Sequence, residues 1–233
     1  AQIGHGGAFN NGNHGENPAM LRDATQSAIT VTSNGGINFA AGGGTNDWNS
    51  REEYAQIGHG GAEARGDHIG HITVSAQTGV DFDAGSGLSR RAYAMVGHGG
   101  TYADNTPNVS HVDQNEASGI MTVTAAERVG NLGDISVTTQ AGDITFHAGQ
   151  RGEQFVQVGH GGSNTSGDHS GSITVNAVAG NVIFDARGGN AGDTHYAQIG
   201  HGGYYSSGEM TGTIDVDAGG AVQFFAGRNS SYA

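Results

Sequence analysis

The chain contains no cysteine and only two prolines. Without cysteine it has neither disulfides nor thiolate metal sites. Lysine is missing as well: all nine basic residues are arginines, against 22 carboxylates, for a formal net charge of −13. No basic stripe exists to displace counterions, so nucleic acid is not an expected partner. Leucine occurs only at Leu21, Leu88 and Leu132, which argues against amphipathic helices. No apolar run approaches the ~18 residues of a membrane helix, so no membrane span is expected in this segment. Glycine, by contrast, is abundant, at 44 of 233 residues, and it has no three-residue period. Together with Ile, Val, Thr and Asn it points to an all-β chain of many short strands joined by tight turns.

The order in what remains is a repeat. Gly-His-Gly-Gly occurs five times, each time closing the same apolar phrase, as in Ala55-Gln56-Ile57-Gly58-His59-Gly60-Gly61 and Ala197-Gln198-Ile199-Gly200-His201-Gly202-Gly203. The histidines His5, His59, His98, His160 and His201 are 54, 39, 62 and 41 residues apart, which fits one coil of about 39 residues carrying loop insertions of different length. Two more phrases recur in each unit. One is Ser27-Ala28-Ile29-Thr30-Val31-Thr32 and its counterparts at 71–76, 134–139, 172–177 and 213–218. The other is Ile37-Asn38-Phe39 with Val80-Asp81-Phe82, Ile144-Thr145-Phe146, Val182-Ile183-Phe184 and Val222-Gln223-Phe224. Alternation of apolar and polar residues buries one face of each strand. The expected core therefore holds a ladder of Phe39, Phe82, Phe146, Phe184 and Phe224, with the smaller Ala84, Ala148, Ala186 and Ala226 following it.

These spacings predict a parallel β-helix (β-solenoid) of about five coils with three short strands per coil, spanning 1–233 as one segment. Insertions are expected to leave it at the corners, roughly over 8–26, 41–53 (with Trp48) and 101–132. An additional strand-like phrase at 120–124 has no assigned place. The chain opens on Ala1-Gln2-Ile3 and closes on Tyr232-Ala233, while Tyr54-Ala55 and Tyr196-Ala197 open the same phrase internally. Both ends thus fall at one register, and the chain reads as a window on a longer repetitive protein. Stacked neighbours bury what one coil cannot, so neighbouring repeats or copies of the chain itself are the first expected partners.

Gly171-Ser-Ile-Thr-Val-Asn-Ala177 followed by Gly180-Asn-Val-Ile-Phe-Asp-Ala186 resembles the repeats of large bacterial filamentous-haemagglutinin-like exoproteins, and the Ala-Gln-Ile-Gly-His-Gly-Gly phrase is similar to repeats in that group. The resemblance covers nearly the whole chain. It implies a right-handed parallel β-helix, secretion to the cell surface, and an adhesive or filament-forming role with cell-surface glycans or other cells as partners.

The histidines invite a metal reading, since imidazoles stacked at strand spacing could share a cation. Period-two counting instead places them on the face of Ala197 and Ile199, inward at a glycine corner, where a neutral imidazole can satisfy turn amides and carbonyls. They are read as structural corner residues without metal. The same counting puts Gln2, Gln56, Gln157 and Gln198 on the outward face as an amide ladder.

Outward threonines (Thr30, Thr32, Thr73, Thr122, Thr124, Thr174) raise an ice-binding alternative, interrupted by Ser75, Asn176, Asp215 and Asp217. Outward acids at Asp81, Asp83, Asp185, Asp215 and Asp217 raise a polysaccharide-degrading or carbohydrate-binding one. Uniform repetition favours neither: no catalytic residue and no cofactor is expected, and calcium in the loops is not indicated, since Gly188-Gly189-Asn190-Ala191-Gly192-Asp193 resembles a calcium-binding glycine-aspartate nonapeptide but does not recur every nine residues. If a ligand site exists, the cluster of Tyr102, Asp104, His111 and Asp113 marks it. The expected function is a structural, non-enzymatic repeat segment of an extracellular adhesin or filament.

Overall fold

A computed structural model of the chain describes residues 1–10, 14, 27–41, 53–85, 92–103, 130–149, 154–187, 195–226 and 231–232. All described regular structure is β, and every strand pairing is parallel. The strands form stacked sheets along a solenoid, five coils deep.

The first sheet joins Ile29–Ser33, Ile72–Ala76, Ile135–Thr139, Ile173–Ala177 and Ile214–Ala218. Its register places the leading isoleucines Ile29, Ile72, Ile135, Ile173 and Ile214 in one column, with Val31, Val74, Val137, Val175 and Val216 in a second. The second sheet joins Gly36–Ala40, Gly79–Asp83, Ile144–His147, Val182–Asp185 and Val222–Phe225. Its five phenylalanines are in register, with successive ring centroids 5.4, 5.3, 4.5 and 5.1 Å apart. The middle three rings are fully buried, as is most of the Ile/Val set around them. Val and Ile fill such strands because branched side chains pack well on a pleated surface. Ile214, Val222 and Phe224 are exposed on the last described coil.

The third sheet carries the phrase that leads to each histidine: Gln2–Ile3, Tyr54–Ile57, Tyr93–Val96, Phe155–Val158, His195–Ile199 and Ser231–Tyr232. Here the outward expectation for glutamine is corrected: Gln56 and Gln157 are completely buried. The chain beyond each histidine folds back over this sheet, and its Ala62 and Tyr204 pack with Tyr54, Tyr93, Met95, Phe155 and Tyr196 of the strands in a second apolar layer. Tyr54, Tyr93, Phe155 and Tyr196 stack at 5.0, 4.9 and 4.9 Å. Alternation with one wet face does not apply to a strand covered on both sides.

A fourth, shorter sheet raises the expected three strands per coil to four. It consists of His68–Ile69, Gly130–Leu132, Asp168–Ser170 and Met210–Thr211, and His14 joins His68 through an isolated bridge. The corner insertions are correspondingly narrower than expected. Phe9 N–H donates to Ala62 O and Tyr102 N–H to Ser163 O, so residues 8–10, 101–103 and 130–132 belong to the stacked coil. Trp48 and the phrase at 120–124 lie outside the described residues. Among the described residues, no helix is long and apolar enough to cross a membrane.

Candidate functional site

The Gly-His-Gly-Gly corner joins the third sheet to the fold-back segment, and each of its residues has a geometric reason. An added Cβ on Gly97 would stand 1.9 Å from the carbonyl oxygen of Gly159 in the next coil, so the backbone approach before the histidine admits only glycine. After the histidine, Gly60 has φ +86°, and a Cβ there would meet the His68 ring at 2.8 Å.

Between these glycines the imidazoles stack in a column, with centroids 5.1, 4.8, 4.8 and 5.0 Å apart from His5 through His59, His98 and His160 to His201. Nδ1 of each ring accepts the backbone N–H of the histidine one coil earlier. The distances are 3.0 Å for His5 N to His59, 2.9 Å for His59 N to His98, 3.0 Å for His98 N to His160 and 3.1 Å for His160 N to His201. With Nδ1 accepting, the proton sits on Nε2, which donates to Ser27 O at 3.1 Å from His59, Gly70 O at 2.8 Å from His98, Gly133 O at 2.7 Å from His160 and Gly171 O at 2.9 Å from His201. Both nitrogens of each of these four rings are therefore engaged in one neutral tautomer. Burial, chiefly, pushes His59 down to about 4 and holds His98 and His160 well below the ordinary value, with the neighbouring histidines adding in the same direction. His201 is lowered by burial too, while His5 is exposed at the first coil. A metal ion would have to displace a backbone N–H to reach Nδ1. Among the described residues, no cluster of three or more His, Asp or Glu is arranged to hold one.

The buried glutamines seal the same corner. Gln56 Nε2 donates to Gly97 O at 2.9 Å and Gly99 O at 2.8 Å, and Gln157 Nε2 to Gly200 O at 3.0 Å and Gly202 O at 2.7 Å. Each amide thus binds glycine carbonyls of the following coil rather than the next glutamine. Met95 occupies this place in the middle coil, in register with Gln56 and Gln157.

A second inward column was not apparent in the sequence. His14, His68, Asn131, His169 and Met210 follow one another in register along the fourth sheet. His14 and His68 stack at 5.3 Å, and Asn131 Nδ2 lies 3.2 Å from His169 Nδ1. Burial dominates again, pushing His68 down to about 3 and His169 to about 4. Nε2 of His169 and Oδ1 of Asn131 find no partner among the described residues. The signal available in the sequence was Gly-Asp-His at 66–68 and again at 167–169.

Beyond the glycines the backbone turns through a left-handed residue in every coil, and that residue is never glycine: Phe9, Glu63, Tyr102, Asn164 and Tyr205 have φ of 60, 54, 55, 56 and 54°. A side chain in this region costs on the order of 1–2 kcal/mol relative to ordinary backbone. Of the expected ligand cluster, only Tyr102 falls here; Asp104, His111 and Asp113 lie outside the described residues, as does the 188–193 glycine-aspartate phrase.

The outward acids are dispersed. Asp185 is gripped by Arg187 through Nε at 2.9 Å and Nη2 at 2.7 Å, which holds its carboxyl below the ordinary range. Asp83 and Asp185 are separated in register by His147. The threonine columns are interrupted as well, Thr30, Thr73 and Thr174 being followed by Asp215 with Ser136 between.

Fold and corner together define a class: a parallel β-solenoid closed at one corner by a buried histidine column. No family model, curated protein or solved structure matches the chain.

Proposed function

We propose that the chain is a rigid, non-enzymatic repeat segment of a secreted bacterial surface adhesin or filament of the filamentous-haemagglutinin type. The observation that supports this reading is uniformity. The phenylalanine, histidine, glutamine and Ile/Val columns run through consecutive coils with almost no local departure, whereas a catalytic site requires groups whose environments differ from those of their neighbours. Asp185 is neutralised by Arg187 rather than poised as an acid or base.

The test is display of the folded chain on inert beads, followed by measurement of attachment to cells and of sugar release from soluble polysaccharides. Attachment without release of reducing ends is the expected outcome. Sustained release of reducing ends, or failure of the displayed chain to attach to any cell surface, overturns the reading.

A further inference from the structure

We propose that the left-handed corner is a binding strip for an extended, neutral, β-1,4-linked polysaccharide lying along the solenoid axis. The inference deepens the adhesin reading by naming a ligand, and it rests on that reading for the surface being displayed outside the cell.

Three aromatic rings share this corner. Phe9 is 65% exposed, Tyr205 is 74% exposed and Tyr102 is partly exposed. Their backbones are laddered through consecutive coils, Phe9 N–H to Ala62 O, Glu63 N–H to Thr101 O, Tyr102 N–H to Ser163 O and Asn164 N–H to Tyr204 O. Aromatic residues therefore alternate with polar ones: Phe9, Glu63, Tyr102, Asn164, Tyr205. Successive aromatics stand two coils apart, about 9.6 Å, twice the 4.8 Å between the stacked His59 and His98 rings. A β-1,4-linked chain turns over at each sugar and so presents the same apolar ring face at every second residue, a repeat of the same kind. Exposed rings offer flat apolar faces to pyranose C–H groups, and Glu63 and Asn164 between them offer hydrogen-bonding groups to hydroxyls. Tyr205 is braced by Tyr204, edge to face at 4.3 Å.

Backbone chemistry adds a second argument. The chain uses glycine at neighbouring positive-φ positions, Gly6 and Gly7, Gly60 and Gly61, Gly99 and Gly100. At the five strip positions, where glycine would also be the relaxed choice, it keeps side chains. Charge selects among glycans: a chain of net charge −13 with Glu63 in the strip disfavours acidic polysaccharides.

The experiment measures retention of the purified chain on microcrystalline cellulose and on chitin, with calorimetric titration by cello- and chito-oligosaccharides of increasing length. Retention is expected on at least one of the two polymers, with affinity rising until about five sugars cover the three rings at two per step. Phe9→Ala or Tyr205→Ala should weaken binding about ten-fold. A triple Phe9→Gly, Tyr102→Gly, Tyr205→Gly variant removes the rings while relaxing the backbone, so it should keep or raise the melting temperature and lose retention entirely. No retention of the parent chain on either polymer overturns the proposal. So does equal retention of the triple variant, stronger binding to an anionic glycan, or self-association of the parent chain that the triple variant abolishes. Cell attachment by a parent chain that neither polymer retains leaves the adhesin reading standing while this one falls; glycan retention without cell attachment does the reverse.

Discussion

The backbone N–H of His59 donates to Nδ1 of His98 at 2.9 Å, and the two imidazole planes are parallel with centroids 4.8 Å apart. His98 is thus acceptor for one coil and, through Nε2, donor to Gly70 O. His98→Ala leaves both groups unpaired in the interior and should lower stability by about 1–3 kcal/mol. His5→Ala, at the exposed first ring, leaves the His5 N–H to His59 bond intact and should change stability by less than about 0.5 kcal/mol. Urea midpoints at unchanged slope check the pair, and equal midpoints would show that the buried column contributes nothing.

Stability should fall in mild acid. His59 and His169 sit at about 4 and His68 at about 3 in the folded chain, against 6.5 for an unperturbed histidine. The unfolded chain therefore takes up protons first as pH drops, and stability rises with pH wherever it binds more. The contribution is fully present above about pH 6.5, declines below it, and levels off once the folded rings titrate near pH 3–4. Denaturation midpoints at about pH 8 and about pH 4.5 should differ clearly, and identical midpoints would contradict the neutral column.

Gly97→Ala places a methyl 1.9 Å from Gly159 O at φ +153°, between two coils that cannot separate locally. The expected loss is at least about 3 kcal/mol, from overpacking plus backbone strain. Gly35→Ala is the control: the nearest atom to its Cβ is Ser33 Oγ at 3.9 Å, and stability should hold within about 0.5 kcal/mol. Thermal melts of the two variants should separate by many degrees; coincident melts would refute the close approach.

Met95 interrupts the glutamine column between Gln56 and Gln157. Gln56 and Gln157 each donate to two glycine carbonyls of the following coil. Met95→Gln supplies the missing donor toward Gly159 and Gly161 and should stabilise by about 0.5–1.5 kcal/mol. A lower melting temperature for this variant would mean that the thioether packs better than the amide bonds.

Much of this architecture was legible because it obeys period two. The Ile29/Val31 and Ile37/Phe39 strands bury one face, and their columns were readable residue by residue. Gln56 was misplaced for the same reason: its strand, Tyr54–Ile57, is covered on both faces, so alternation carries no information about which side is wet. The fourth sheet was missed because His68–Ile69 and Met210–Thr211 are two residues long, too short to show any period. The left-handed corner was invisible because Phe9, Glu63, Tyr102, Asn164 and Tyr205 share a backbone conformation while aromatic and polar side chains alternate along it, so no single residue type marks the position.

The rungs between coils have fixed directions: backbone N–H to imidazole Nδ1 and glutamine amide to glycine carbonyl run to the following coil, while each imidazole Nε2 donates back to the preceding one. Each of the first four coils hands its histidine N–H to the coil after it, and every coil but the middle one, where Met95 stands, adds a glutamine amide in that direction where a following glycine corner is present. The solenoid is therefore an oriented polymer at the level of single atoms. A coil laid on in the opposite sense would set donors against donors. A finished coil acts as a template that only the next coil in the chain direction can read, which suits a polypeptide that folds progressively from its leading end.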